Sequence, residues 1–180
     1  IPVADRPNWS VEEIVKELGK LTVKYCHAEG IASVIKHIPG HGCVNVDSHK
    51  KLPITTIHAN KLYSNDFKLF KNLNSNFVMT AHVLYKKIDP KFTATQSTKI
   101  IKEIIRKKLN FKGLIISDDI SMKALSKNLV LNAKLALASG CNLVLYCNGK
   151  IKESSLLLKN LDKIDSFTEK KTRHFYQFLR

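Results

Sequence analysis

Residues 32–53 read Ala-Ser-Val-Ile-Lys-His-Ile-Pro-Gly-His-Gly-Cys-Val-Asn-Val-Asp-Ser-His-Lys-Lys-Leu-Pro. The apolar run at the head, Ala32 to Ile35, has the length and composition of a short buried strand, and Lys36 and His37 close it. A loop then opens with Pro39, Gly40 and Gly42 and carries Asp47 and His49 two residues apart. A strand end presenting a cation and an imidazole, followed by a loop offering a carboxylate–imidazole pair, is a layout suited to proton transfer. The competing reading is a surface loop in which histidines happen to concentrate. The residues downstream decide between the two.

The rest of the chain alternates helix and strand. Ser10 with Glu13 forms a capping box ahead of Val11, Ile14, Val15, Leu18, Leu21 and Tyr25, which recur at helical spacing, and Gly30 is placed to end that helix. A strand over 31–36 comes after it. Residues 60–73 read as a helix and 76–81 as a strand with His82 at its end. A helix over about 97–109 comes next, with Ile100, Ile101, Ile104 and Ile105 inward. Residues 113–117 form a third strand ending at Asp118 and Asp119. A helix over 128–139 stops at Gly140, a strand spans 142–146, and the last thirty residues read as one or two basic helices.

Strands that are apolar throughout and separated by helices argue for a parallel sheet. The polar residues gather at one end of it, which suits a βα barrel, though an open doubly wound sheet would also hold its ligand beside the carboxyl ends of its strands. Lys36 and His37, then His82, Asp118 and Asn148 each stand at the C-terminal end of a separate strand, the end that is the active face of a βα barrel. There is no Gly-x-Gly-x-x-Gly and no Walker-type phosphate loop, so a nucleotide has nothing evident to bind. The expected fold is α/β, a (βα)8 TIM-barrel-like architecture. At 180 residues, against about 250 for a whole barrel, it is incomplete, with about four to five βα units in one partial domain over 1–180.

Composition narrows the function classes. No run approaches the roughly 18 apolar residues of a membrane span, and no signal-peptide pattern is visible; the chain starts at Ile1, which leaves an upstream segment and targeting open. Cys26, Cys43, Cys141 and Cys147 show no Cys-x-x-Cys spacing and read as free thiols in a reducing compartment. His37, His41, Cys43, Asp47 and His49 lack the regular spacing that would fix metal ligands, so no metal is expected. The formal charge of +15 raises a nucleic-acid-binding α/β protein as a rival, yet the basic residues are nearly all lysine, scattered, with arginine only at positions 6, 106, 173 and 180. Solvated surface is the simpler reading, and no nucleic-acid partner is expected.

The chemistry offered is a strand-end carboxylate (Asp118), a loop imidazole with its own carboxylate (His49, Asp47) and two polar anchors (Lys36, His37). Glycosyl transfer needs this set: one group to attack or stabilise the oxocarbenium-like centre, another to protonate the leaving oxygen and then activate water. An imidazole titrating near about pH 6.5 can do both.

These residues resemble a known family. Lys36-His-Ile-Pro-Gly-His-Gly, Asp47-Ser-His49 and Leu52-Pro53 are similar to the signature of bacterial β-N-acetylhexosaminidases of glycoside hydrolase family 3. Val78-Met-Thr-Ala-His82-Val-Leu-Tyr85, Ile115-Ile-Ser-Asp118-Asp-Ile-Ser-Met122 and Gly140-Cys-Asn-Leu-Val-Leu resemble its following strands, so the motifs cover about residues 30–150. The resemblance implies Asp118 as nucleophile, His49 as proton donor and acceptor with Asp47 as its partner, and Lys36, His37 and, by spacing, Arg6 on the sugar hydroxyls. It implies a metal-free, cofactor-free enzyme of the bacterial cytoplasm that releases terminal β-linked N-acetylglucosamine from cell-wall muropeptides. The family's first strands have no counterpart here, so a missing N-terminal barrel fragment is an expected partner. An inactive or sugar-binding remnant is the alternative. His82 and Asp119 are expected to be structural, Met79 and Met122 core.

Overall fold

In the computed structural model, the described residues are 10–44, 46–72, 74–125 and 127–178; Arg6 lies outside them. Helix α1 (Val11–Ala28) begins as its capping box requires: the Glu13 amide donates to Ser10 Oγ at 3.3 Å and the Ser10 amide to Glu13 Oε2 at 2.9 Å. It ends at Gly30, whose φ of 69° is open to glycine at little cost, while the Ile31 amide donates back to the Cys26 carbonyl at 2.8 Å. That closure uses up residues 30 and 31. Strand β1 therefore runs Val34–Ile38, later than the expected 31–36, and extends to Ile38 because that carbonyl accepts the Ala81 amide at 2.8 Å.

Strands β1, β3 (Phe77–Thr80), β5 (Leu114–Asp119) and β6 (Leu143–Leu145) form one parallel sheet in the order β1-β3-β5-β6. The order advances in one direction and never reverses. A doubly wound sheet has a reversal point; a barrel does not. A second, two-stranded parallel pair, β2 (Ile54–Thr55) with β4 (Leu84–Tyr85), closes the base of the loop after β1.

The sheet's two faces differ. Val78 and Ile115, paired across β3 and β5, are buried beneath Ile100, Ile101, Ile104 and Ile105 of the π-helix Lys99–Lys108. The opposite face, where Lys36, Met79, Ile116 and Leu143 stand in register, is only partly covered. Met79 is thus half-buried, whereas Met122 is core. In a closed barrel that partly covered face is the packed interior.

The helix expected over 60–73 divides into α2 (Ala59–Asn65) and a 3-10 turn, Phe67–Phe70. Leu62 and Phe67 are both fully buried yet five residues apart, which an unbroken α-helix would set about 140° apart around its axis. Rewinding at Asp66 lets both face the core. Helix α3 (Leu129–Ser139) is capped by Asn128 Oδ1, which accepts the Leu131 amide at 2.9 Å, and stops at Gly140. Helices α4 (Ile151–Asn160) and α5 (Ser166–Phe178) complete the described chain. Phe175 of α5 packs edge-on to Phe77 at 4.8 Å, at the N-terminal end of the sheet.

Both outer strands leave apolar groups in solvent. Ile31 and Val34 are 58% and 44% exposed beside β1, and Ile151 and Leu158 are each 82% exposed on the helix after β6. No helix among the described residues is long and apolar enough to cross a membrane.

Candidate active site

The regular strand pairing slips at two places, between Lys36 and Ile38 in β1 and between Ile116 and Asp119 in β5. Each slip contains an expected site residue, His37 and Asp118. Irregularities of this kind re-aim a side chain out of the alternating pattern of a strand. Here they turn the two side chains toward each other: His37 Nε2 stands 3.7 Å from Asp118 Oδ2. The peptide bonds Lys36–His37 and Ile38–Pro39 are cis.

Burial holds the His37 imidazole below its ordinary value of 6.5; Asp118 opposes that, while Lys36, His41 and His49 reinforce it. His37 is therefore a neutral ring at neutral pH, in contact range of a carboxylate.

On the loop, Asp47 and His49 form their own pair. Asp47 Oδ1 accepts both the His49 backbone amide and, at the same 2.9 Å, the ring Nδ1. Those two bonds lower the Asp47 carboxyl. An ionised carboxylate only accepts, so Nδ1 carries a proton, and Nε2 is the ring nitrogen left for proton exchange. The loop exposes this pair: the His49 side chain is 77% exposed. Thus the expected residues come together as two pairs, His37 with Asp118 and His49 with Asp47. Lys36 is exposed at the same strand end.

The loop's first turn is anchored by groups the sequence did not single out. The buried Tyr85 hydroxyl donates to the Gly40 carbonyl. Asp66 lies against Gly40 so closely that a Cβ there would stand 2.7 Å from Asp66 Cβ, and Gly40 has φ 154°. Tyr85 falls at the end of the Val78–Tyr85 stretch, but nothing local in the sequence points to Asp66.

His82 is fully buried under the site, as expected. Nδ1 lies 2.7 Å from Thr95 Oγ1 and Nε2 3.0 Å from the Asp119 carbonyl. Burial lowers its pKa, against the pull of the Asp119 carbonyl contact and the Asp118 and Asp119 charges. Asp119 caps the next turn: its carboxylate accepts the Ser121 amide and hydroxyl and, at 3.3 Å, the Cys147 amide. Cys147, just beyond β6, is exposed. Among the described residues, no group of three or more His, Cys, Asp or Glu is gathered as a metal site.

A singly wound parallel sheet thus carries a carboxylate, an imidazole and a His–Asp loop at its C-terminal end, the face on which barrel folds place their chemistry. The chain belongs to glycosyl hydrolase family 3: the family's N terminal domain matches residues 2–175. A β-hexosaminidase of Haemophilus influenzae is 39% identical over 152 residues, covering 81% of this chain and 43% of that protein. One from Nitrosomonas eutropha is 32% identical over 160 residues, covering 86% of this chain and 46% of that protein. The chain thus spans less than half the length of either curated relative. Among solved structures, it resembles a family 3 β-N-acetylglucosaminidase from Paenibacillus sp., with a TM-score of 0.81 at 27% identity, over 92% of this chain and 34% of that one. It also resembles NagZ from Neisseria gonorrhoeae in complex with N-trifluoroacetyl-D-glucosamine, with a TM-score of 0.76 at 28% identity, over 89% of this chain and 47% of that one. The fold is a TIM-barrel-like α/β structure of which this chain forms part.

Proposed function

We propose that this chain is the catalytic part of an enzyme that hydrolyses terminal, non-reducing β-linked N-acetylglucosamine with retention of configuration. The observation that carries the reading is the pairing of Asp118 with His37 at the irregular ends of β5 and β1, beside a loop that presents a His–Asp pair. Asp118 attacks the anomeric carbon. His49 gives a proton to the leaving oxygen, then, neutral again, takes one from the water that releases the sugar. Asp47 holds the Nδ1 proton throughout and stabilises the imidazolium that enters the first step and is restored by the second. Lys36, His37 and Arg6 bind the sugar hydroxyls. Muropeptide fragments in the bacterial cytoplasm are the substrates this reading favours, and it treats 1–180 as one partial catalytic domain.

A second reading rests on the exposed apolar residues beside β1 and β6 and on the share of its relatives that the chain spans. Unpaired edge strands of a parallel sheet seek partners. On this reading the four strands are completed by the N-terminal half of a family barrel, without which the chain binds sugar but does not turn it over.

One assay separates them: release of 4-nitrophenol from its N-acetyl-β-glucosaminide by the purified chain, beside Asp118→Asn. Turnover lost in the variant supports the hydrolase reading and shows that the chain suffices. Folded protein that binds N-acetylglucosamine without turnover supports the second. Folded protein that neither binds the sugar nor cleaves the glycoside refutes both.

A further inference from the structure

Asp118 stands where the β5–β6 pairing slips, so the ladder does not fix it. The two carbonyls after it are held from behind by side chains. The Asp119 carbonyl accepts from His82 Nε2 at 3.0 Å, and the Ile120 carbonyl from Asn132 Nδ2 at 3.1 Å. His82 and Asn132 are 0% and 2% exposed. They come from different places, the end of β3 and the first turn of α3.

Both are steadied by one short element, the buried 3-10 turn Ala94–Gln96. Thr95 Oγ1 faces His82 Nδ1 at 2.7 Å, and Gln96 Nε2 donates to Asn132 Oδ1 at 3.3 Å. The turn is tied in by Ser139, whose hydroxyl donates to the Gln96 carbonyl at 2.6 Å. A carbonyl only accepts, so His82 carries its proton on Nε2 and its Nδ1 accepts from the Thr95 hydroxyl. The Thr95 oxygen then accepts from the Thr80 hydroxyl at 2.8 Å. Every member of the chain is satisfied with the ring neutral.

Burying an imidazole and a carboxamide costs free energy that a leucine of similar volume would not. Such networks persist where they specify one backbone position. Here the position is that of the two peptide groups following Asp118. We propose that His82 and Asn132 are positioning residues for Asp118, setting where its carboxylate stands by holding the carbonyls of Asp119 and Ile120. The proposal rests on the reading of Asp118 as nucleophile; in that role a misplacement of about 1 Å costs roughly 100-fold in rate.

The His37 imidazole is the gauge, because Asp118 at 3.7 Å raises its pKa while Lys36, His41 and His49 lower it. NMR titration of the imidazoles, with His37 identified by its loss in His37→Gln, reads that distance without any turnover. Asp118→Asn sets the floor. In His82→Leu the His37 midpoint is expected to fall by roughly half or more of the drop to that floor, and in His82→Gln, which keeps a donor, to stay near the parent. Thr95→Val, which leaves the ring in place, is expected to move it in the same direction by less, and serves if His82→Leu does not fold. If the chain turns over, kcat falls in His82→Leu with KM nearly unchanged. A folded His82→Leu, or in its place Thr95→Val, with the parent His37 midpoint overturns the proposal. Asp118→Asn that leaves turnover intact overturns the nucleophile reading instead.

Discussion

The two ends of the same four-stranded sheet are built from opposite chemistry. At the N-terminal end, Arg106 spends its guanidinium on acceptors alone: the carbonyls of Gly113 at 2.6 Å and Phe111 at 3.2 Å, and Asn142 Oδ1 at 2.7 Å. Asn142 in turn donates to Thr168 of α5, and Phe167 lies over the guanidinium. Each bond ties one element to another. At the C-terminal end, His37 and Asp118 face each other 3.7 Å apart, beyond hydrogen-bonding distance, and the His49–Asp47 pair stands in solvent. One end uses its polar groups to close the structure, the other leaves them available. This is the division between stability and chemistry that barrel folds make between their two faces.

Substitutions at the two ends should therefore separate rate from stability. The largest effect is expected from Asp118→Asn, a loss of at least about 10³-fold in turnover, and from His49→Ala, about 10²–10⁴-fold, each with an unchanged urea midpoint. A stability loss equal to that of an N-terminal-end variant would break the comparison. Next comes Arg106→Ala, expected to cost about 2–4 kcal/mol in urea denaturation because the part-buried Phe111 and Gly113 carbonyls lose the guanidinium and Asn142 Oδ1 keeps only the Ile115 amide, with the His37 titration unmoved. Gly40→Ala tests the C-terminal end itself, in the first turn of the loop after β1. Its Cβ would meet Asp66 at 2.7 Å, in a backbone conformation that L residues avoid, and should cost about 1–3 kcal/mol while displacing the loop. Thermal melting with and without the Asp47–His49 loop's chemistry, in Gly40→Ala and His49→Ala, tells those effects apart.

The smallest effect is the response to pH. His37 and His82 are held below 6.5 in the folded chain, chiefly by burial. Below that pH the unfolded chain binds more protons at these sites, so stability is full above it and falls as the pH drops toward the folded values. The Tm is expected to fall by a few degrees on acidification from neutral pH, less in His82→Gln. A Tm that rises on acidification would show that burial does not govern these rings.

The sequence carried some of this plainly. Asp47 and His49 are two residues apart, so their pairing is a local matter that spacing alone reveals. The Ser10–Glu13 box and the Asn128 cap are equally local. The approach of His37 to Asp118 spans 81 positions, and only the placement of polar residues at successive strand ends foretold it. Two-residue strands such as β2 and β4 have no periodicity to detect. The π winding of Lys99–Lys108 escaped because Ile100, Ile101, Ile104 and Ile105 make an apolar stripe broad enough for either winding. His82 could be placed beneath the site, but its hold on the Asp119 carbonyl depends on Thr95, thirteen residues on in a turn with no motif.

Cys147 carries a practical corollary. Its amide donates to Asp119, its thiol is exposed, and partial desolvation and the Asp119 and Asp118 carboxylates together raise its pKa. Alkylation requires the thiolate, so this thiol reacts slowly at neutral pH for an exposed cysteine. Neutralising Asp118 removes part of that brake, and a sugar lodged at the strand ends adds a steric one. The rate at which a maleimide labels this one position is thus a readout of charge and occupancy at the mouth of the sheet, available with no substrate cleaved.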